Sequence, residues 1–135
     1  MTVLDSSGAV DFLLGVGVAD QVGELIAREG EVAAPEVLVF EVLAVLRRQV
    51  LAGALPHERA TAAVADLGDL AIELFPSLPL RERAWSLRRN VTVADATFAA
   101  LAEALDEPLA TKDAPLAAAL AQHTRVSVRV LLDAS

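Results

Sequence analysis

Cysteine is absent from this chain, which removes disulfides and thiolate zinc sites from consideration. Histidine is scarce: only His57 and His123 occur, far apart and without ligand spacing. A zinc hydrolase therefore lacks its usual ligands, and both imidazoles are expected at the surface. No apolar run reaches the roughly 18 uninterrupted residues of a membrane span. The chain passes from Met1 straight into a strand-like Thr2-Val3-Leu4 with no basic segment before it. No secretory signal is expected, and the cytoplasm is the expected location. Positive charge is also in short supply. The formal charge is −8 over 135 residues, an awkward balance for a protein that handles nucleic acid, because phosphate binders usually carry a basic face. Bound divalent ions would cancel part of that charge. The arginines are also grouped, Arg47 with Arg48, then Arg81, Arg83, Arg88 and Arg89. These groups are either solvated helix faces or a local track for phosphates.

What the chain has in quantity is apolar surface. At 55% hydrophobic residues it is far from the composition of a disordered chain, and a domain near this size buries roughly 70% of what its unfolded chain exposes. One domain over residues 1–135 is expected. Short strands are expected at Thr2–Leu4, Val32–Ala34, Leu70–Phe75, Leu109–Thr111 and Arg125–Val130. Helical spacing separates them. Ser6 to about Leu14 is broken by Gly15 and Gly17, and Ala19–Arg28 is stopped by Gly30. Pro35 suits the first turn of a helix running to about Leu51, and Pro56 opens another to about Leu67. A basic helix covers about Leu80 to Arg89, and Thr92–Leu105 carries a stripe of Phe98, Leu101 and Leu105. A last helix spans roughly Pro115 to Gln122. Short apolar strands alternating with helices predict an α/β fold, a parallel sheet covered on both faces.

Four acids stand in settings that do not favour charge: Asp5, Glu41, Asp95 and Asp113. Glu41 is the sole charge in the run from Val37 to Leu46, and carboxylates are almost never fully buried unless paired or bound to a metal. In a parallel sheet with right-handed crossovers, ligands gather at the carboxyl ends of the strands. Asp5 and Asp113 each follow a strand and so sit on that edge. Asp95 lies in the first turn of the helix leading into Leu109–Thr111, and Glu41 in the second turn of its helix, so both begin on the same side. Brought together, the four make a site for a divalent cation. Each also has a structural alternative. Asp5 can cap the helix after it or bond its own turn. Thr92-Val93-Ala94-Asp95 reads as a capping box with a short acid, and Asp113 can cap the helix at Pro115. Glu41 has the weakest alternative, an exposed helix edge, since Val45 one turn on offers no partner. Capping does not exclude metal binding, because a carboxylate has several acceptor sites.

Four stretches, in order, resemble the PIN-domain ribonucleases, and in particular the VapC toxins of bacterial toxin–antitoxin pairs. They are Val3-Leu4-Asp5-Ser6-Ser7, then Ala34-Pro35-Glu36-Val37-Leu38 leading to Glu41-Val42. Asn90-Val91-Thr92-Val93-Ala94-Asp95-Ala96 follows and runs on to Ala102-Glu103-Ala104-Leu105, and Pro108-Leu109-Ala110-Thr111-Lys112-Asp113 completes the set. Each is weak alone; together and correctly spaced they are specific and cover essentially the whole chain. The resemblance implies a three-layer α/β/α fold with a parallel sheet of about five strands in the order 3-2-1-4-5. It implies that Asp5, Glu41, Asp95 and Asp113 are the family's acidic quartet, binding Mg²⁺ or Mn²⁺ and cleaving RNA. It further implies a homodimer silenced by a VapB-type antitoxin. On that basis Asp5, Asp95 and Asp113 are the expected direct ligands, Glu41 binds through water or orients the nucleophile, and Ser6 and Thr111 supply hydrogen bonds to the carboxylates.

Two departures stand out. Ala94 replaces a frequent aromatic residue, and Lys112-Asp113-Ala114-Pro115 replaces a more arginine-rich stretch. Neither removes a ligand. The contrasting class is a degenerate PIN domain that only binds and assembles; its mark is missing acids, and none is missing. A phosphoacceptor receiver domain shares the fold class and a late lysine, but it needs adjacent acids after the first strand, and Asp5 stands alone. The apolar helices at Val18–Ile26 and Val37–Leu51 offer either grooves for a partner helix or plain core packing.

Overall fold

The first strand of the chain is only two residues long, yet it forms the centre of the molecule. In the computed structural model, which describes residues 1–132, β1 (Val3–Leu4) lies between β2 (Val32–Pro35) and β4 (Leu109–Thr111). The edges are β3 (Ile72–Phe75) and β5 (Val128–Val130). All pairings are parallel and the order is β3-β2-β1-β4-β5. This is the order that the family resemblance implies. The three inner strands are wholly buried, whereas β3 and β5 are partly exposed. That gradient accounts for the short, alternation-free apolar runs of the inner strands, which are covered on both faces.

Among the described residues, seven α-helices cover the sheet: α1 (Ser6–Leu14), α2 (Ala19–Glu29), α3 (Val37–Leu51), α4 (His57–Leu67), α5 (Arg81–Ser86), α6 (Val93–Leu105) and α7 (Ala114–His123). The first four pack on one another. α5 packs on α6, and α6 lies against β1, β2 and β4. Right-handed crossovers set these two groups on opposite faces of the sheet. The core joins Val3, Leu4, Val32, Leu38, Val42 and Leu109 to Phe98 and Leu101 of α6. The expected stripe on α6 is thus the face it buries.

Four boundaries differ from expectation by more than a residue. β3, expected from Leu70, begins at Ile72, because the Ile72 amide bonds back to the Leu70 carbonyl in a turn. Pro35 is the last, buried residue of β2 and not the first turn of α3. A proline biases the residue before it to extended backbone. The amide that Pro35 lacks falls on the β1 side, beyond the single Val3–Ala33 pair, where the ladder between the two strands ends. β3 continues the pairing on the other side, with Pro35 opposite Phe75 and the Glu36 amide donating to the Phe75 carbonyl at 2.8 Å. The basic helix stops at Ser86, short of Arg89. The Ser86 hydroxyl donates to the Arg83 carbonyl at 2.6 Å, and the Leu87 and Arg88 amides bond three residues back, tightening the end into turns. The last strand begins at Val128 instead of Arg125, since only its final residues find partners on β4.

Candidate active site

The carboxyl edge of the sheet is where strand ends meet helix starts, and it holds three of the acids by backbone logic alone. Asp5 follows β1 directly. Its backbone is extended and its carboxylate caps α1, accepting from the Gly8 amide at 3.0 Å. The Ser7 hydroxyl donates to both carboxylate oxygens at 2.9 and 3.0 Å, and the Thr111 hydroxyl donates to Oδ2. Asp5 is only 5% exposed. Burial pushes its carboxyl above the usual range, the Asp113 charge adds to that, and the donors from Thr111, Gly8 and Ser7 pull it part of the way back.

Asp113 mirrors this arrangement on the next strand. It follows β4 by one residue and caps α7 by accepting from the Leu116 amide at 2.9 Å. Its own amide donates to Thr111 Oγ1 at 3.0 Å. The Thr111 hydroxyl, fully buried at the end of β4, therefore donates toward one acid and accepts from the backbone of another. The Asp113 side chain itself is exposed.

Asp95 is the third residue of α6. The Thr92 hydroxyl caps the helix by accepting from the Asp95 amide at 3.2 Å, so the backbone half of the expected capping box is real. The Asp95 carboxyl is half-buried and is also raised. Burial is the largest cause, the negative charges of Glu41, Asp5 and Asp113 push the same way, and the Thr92 hydroxyl partly offsets them. Glu41 approaches from α3, half-buried, and its Oε1 accepts from the Ser6 hydroxyl at 2.8 Å.

All four acids thus lie on one edge, with Asp95 under the influence of the other three. The Ser6 hydroxyl donates to Glu41 and the Thr111 hydroxyl to Asp5. The capping alternatives for Asp5 and Asp113 are realised at the same time and by the same side chains. The four do not form a closed cage: among the described residues, no three Asp, Glu, His or Cys side chains gather at ion-holding distance. The donor set is nonetheless suited to a hard cation. It is all oxygen, and both histidines are exposed. Asp5 has three donors on two oxygens that offer about four acceptor sites, so it retains capacity for an ion.

Three residues escaped the sequence reading. Ser7 grips Asp5 but lay hidden in a turn assignment. Asp11, the sole charge of α1, is buried and accepts from Lys112 Nζ at 3.0 and 2.9 Å. The signal that singles out Glu41, one charge in an apolar helix, marks Asp11 equally well. Lys112 is the chain's single lysine. Of the arginine groups, Arg47, Arg48, Arg81, Arg88 and Arg89 are exposed, with Arg88 stacked 4.6 Å from the Trp85 ring centroid. Arg83 is engaged by Glu103 at 2.6 Å. The two expected partner helices divide: α2 turns Val22 and Leu25 into the core. α3 buries Leu38, Val42 and Leu46 but also exposes Phe40, and its exposed Leu43 and Leu51 line a shallow apolar groove with Ala60 and Val64 of α4.

Comparison with known proteins adds an independent line. The PIN domain family model matches residues 2–122. Ribonuclease VapC1 of Mycobacterium tuberculosis is 43% identical over 118 residues, which is 87% of this chain and 89% of that protein. Ribonuclease VapC12 of the same organism is 34% identical over 117 residues, 87% of this chain and 90% of that one. The crystal structure of PAE2754 from Pyrobaculum aerophilum superposes with a TM-score of 0.70 at 20% identity, covering 94% of this chain and 81% of that chain. At that identity the match speaks for the fold alone.

Proposed function

The chain belongs to the PIN-domain family, and from that premise we propose that Asp5, Glu41, Asp95 and Asp113 bind Mg²⁺ or Mn²⁺ and cut RNA with it. The protein is a VapC-type ribonuclease, a hydrolase of RNA and the toxin of a toxin–antitoxin pair. Its partners are RNA and a VapB-type antitoxin. The proposal further takes residues 1–135 as one PIN domain, a homodimer in solution, acting in the cytoplasm. Among the described residues, no helix is long and apolar enough to cross a membrane.

The observation that carries the metal reading is the Asp95 carboxyl, raised by burial and by three other acids that come from α3 and from the ends of β1 and β4. Crowding like charges at one edge is costly unless a cation offsets it. A divalent cation held by these residues would supply an activated water and neutralise charge on phosphate oxygens. Asp5, Asp95 and Asp113 are the ligands in this reading, and Glu41 orients the attacking water. Ser6 fixes the Glu41 carboxylate, while Ser7 and Thr111 fix that of Asp5, so rotamers are set before substrate arrives. The exposed Phe40-Leu43-Leu51 face of α3 is the surface assigned to the antitoxin.

The test is cleavage of single-stranded RNA by purified protein. Mn²⁺ or Mg²⁺ supports cleavage, EDTA stops it, and Asp5→Asn folds normally but cleaves at background. Cleavage that persists in EDTA, or in a clean Asp5→Asn preparation, contradicts the reading. Folded protein that binds its partner yet cuts no RNA with either ion favours the assembly module instead.

A further inference from the structure

Asp11 is a charge that the turn above it does not need in order to close. The turn from α1 to α2 is already closed by backbone bonds, Gly15 to Phe12, Val16 to Asp11 and Ala19 to Val16. The Asp11 carboxylate nevertheless sits buried beneath that turn, accepting from the Val18 amide at 3.1 Å. Gly17 makes the room: its φ is +54°, and a Cβ there would lie 2.1 Å from Asp11 Oδ2. The second partner comes from 101 residues away, the Lys112 ammonium, which donates to both carboxylate oxygens. A buried carboxylate is expensive to hold unless fully paired, so its pairing with a residue of the active-site edge invites a reason.

The reason lies in the link between β4 and α7. It is two residues long, Lys112-Asp113, and it is fastened on both sides. Thr111 is bonded to Asp5 at the start of α1, and Lys112 is bonded to Asp11 six residues further along the same helix, roughly 9 Å of rise. We propose that Asp11 and Lys112 are a positioning pair: their ion pair, seated on Gly17, fixes the link so that the Asp113 carboxylate faces Asp5 and Asp95. This rests on the metal reading of the acidic edge. Asp113 is otherwise an exposed side chain held by its helix cap alone, and the pair supplies the lateral restraint that a cap does not. Neither residue touches substrate or ion; both act through Asp113.

The experiment measures Mn²⁺ affinity by calorimetric titration, with melting in EDTA recorded for each variant. Asp11→Asn and Lys112→Met each weaken Mn²⁺ binding about tenfold, as the loss of an outer support does. Their double variant loses little more than either alone. Lys112→Arg, which can still reach the carboxylate, stays within about threefold of wild type by the same standard. Gly30→Ala, a destabilising change in an open turn, leaves affinity unchanged. Equal Mn²⁺ affinity in wild type and both single variants, whatever their melting temperatures, overturns the pair's role. So does a tenfold loss in Gly30→Ala, because affinity would then follow stability. A wild type that binds no Mn²⁺, or an Asp5→Asn that binds it as wild type does, overturns the metal reading and this inference with it, by a signature distinct from failure of the pair alone.

Discussion

Asp5 and Asp95 are held in states that cost the native protein free energy when both are ionised without a counter-ion. Burial raises both, and neighbouring acids raise them further. The native form therefore binds these protons more tightly than the unfolded chain, whose aspartates titrate at about 3.9. Their contribution to stability is complete below that value and is lost as pH rises through the higher native values. Glu29 and Glu103 work in the opposite sense. Burial opposes the ionised Glu29, but Thr2 and the N-terminus overcome it, while Arg83 lowers Glu103. The whole-protein profile mixes these signs, so a difference is the cleaner observable. In EDTA, Asp95→Asn is expected to be more stable than wild type near neutrality, and the gap should shrink toward about pH 4. Urea midpoints across that range check it; a gap that is constant or grows toward acid contradicts the shift. At this scale the sequence was informative where a charge stood alone in an apolar run, as at Glu41. It was silent about hydroxyls: no pattern marks Ser7 as the residue that grips Asp5, because a serine in a helix-opening turn reads as a turn. Asp11 carried a legible signal that topology did not explain, since its partner lies on a different strand's exit.

Elements came through where local chemistry and tertiary pairing agreed. The helix over Thr92–Leu105 is legible because its cap, its apolar stripe and its burial coincide. Pro35 was misplaced because the same residue suits a first helical turn and a strand end, and only the Phe75 partner on β3 decides between them. Gly17, just beyond the end of α1, and Gly30, at the end of α2, read alike as helix breakers but differ in what surrounds them. Gly30, at φ +87°, faces open space, whereas Gly17 is pressed against the buried Asp11 carboxylate. Gly30→Ala should cost about 1–2 kcal/mol, the strain of left-handed backbone with a Cβ. Gly17→Ala adds displacement of a paired buried charge and should cost about 3–5 kcal/mol more. Chemical denaturation of the two variants side by side measures this, and equal losses would show that Asp11 yields easily.

The molecule as a whole is a parallel sheet with its chemistry gathered on one edge, and that much follows from strand–helix alternation and the handedness of crossovers. The strand order did not follow from periodicity; it came with the family resemblance, since spacing alone does not say that the fourth strand returns to the side of the first. Distances between the acids were likewise beyond the sequence, because they depend on rotamers set by Ser6, Ser7 and Thr111. The overall charge of −8 is compatible with handling RNA because its distribution is uneven. Acids gather at the carboxyl edge, while Arg81, Arg88 and Arg89 stay exposed on and just after α5. The most direct test of the central claim is anomalous diffraction from crystals grown with Mn²⁺. One ion or two are expected on the carboxyl edge, directly bound by oxygens of Asp5 and of Asp95 or Asp113. An ordered edge without a manganese peak at saturating ion, or a peak held by other residues, would contradict it.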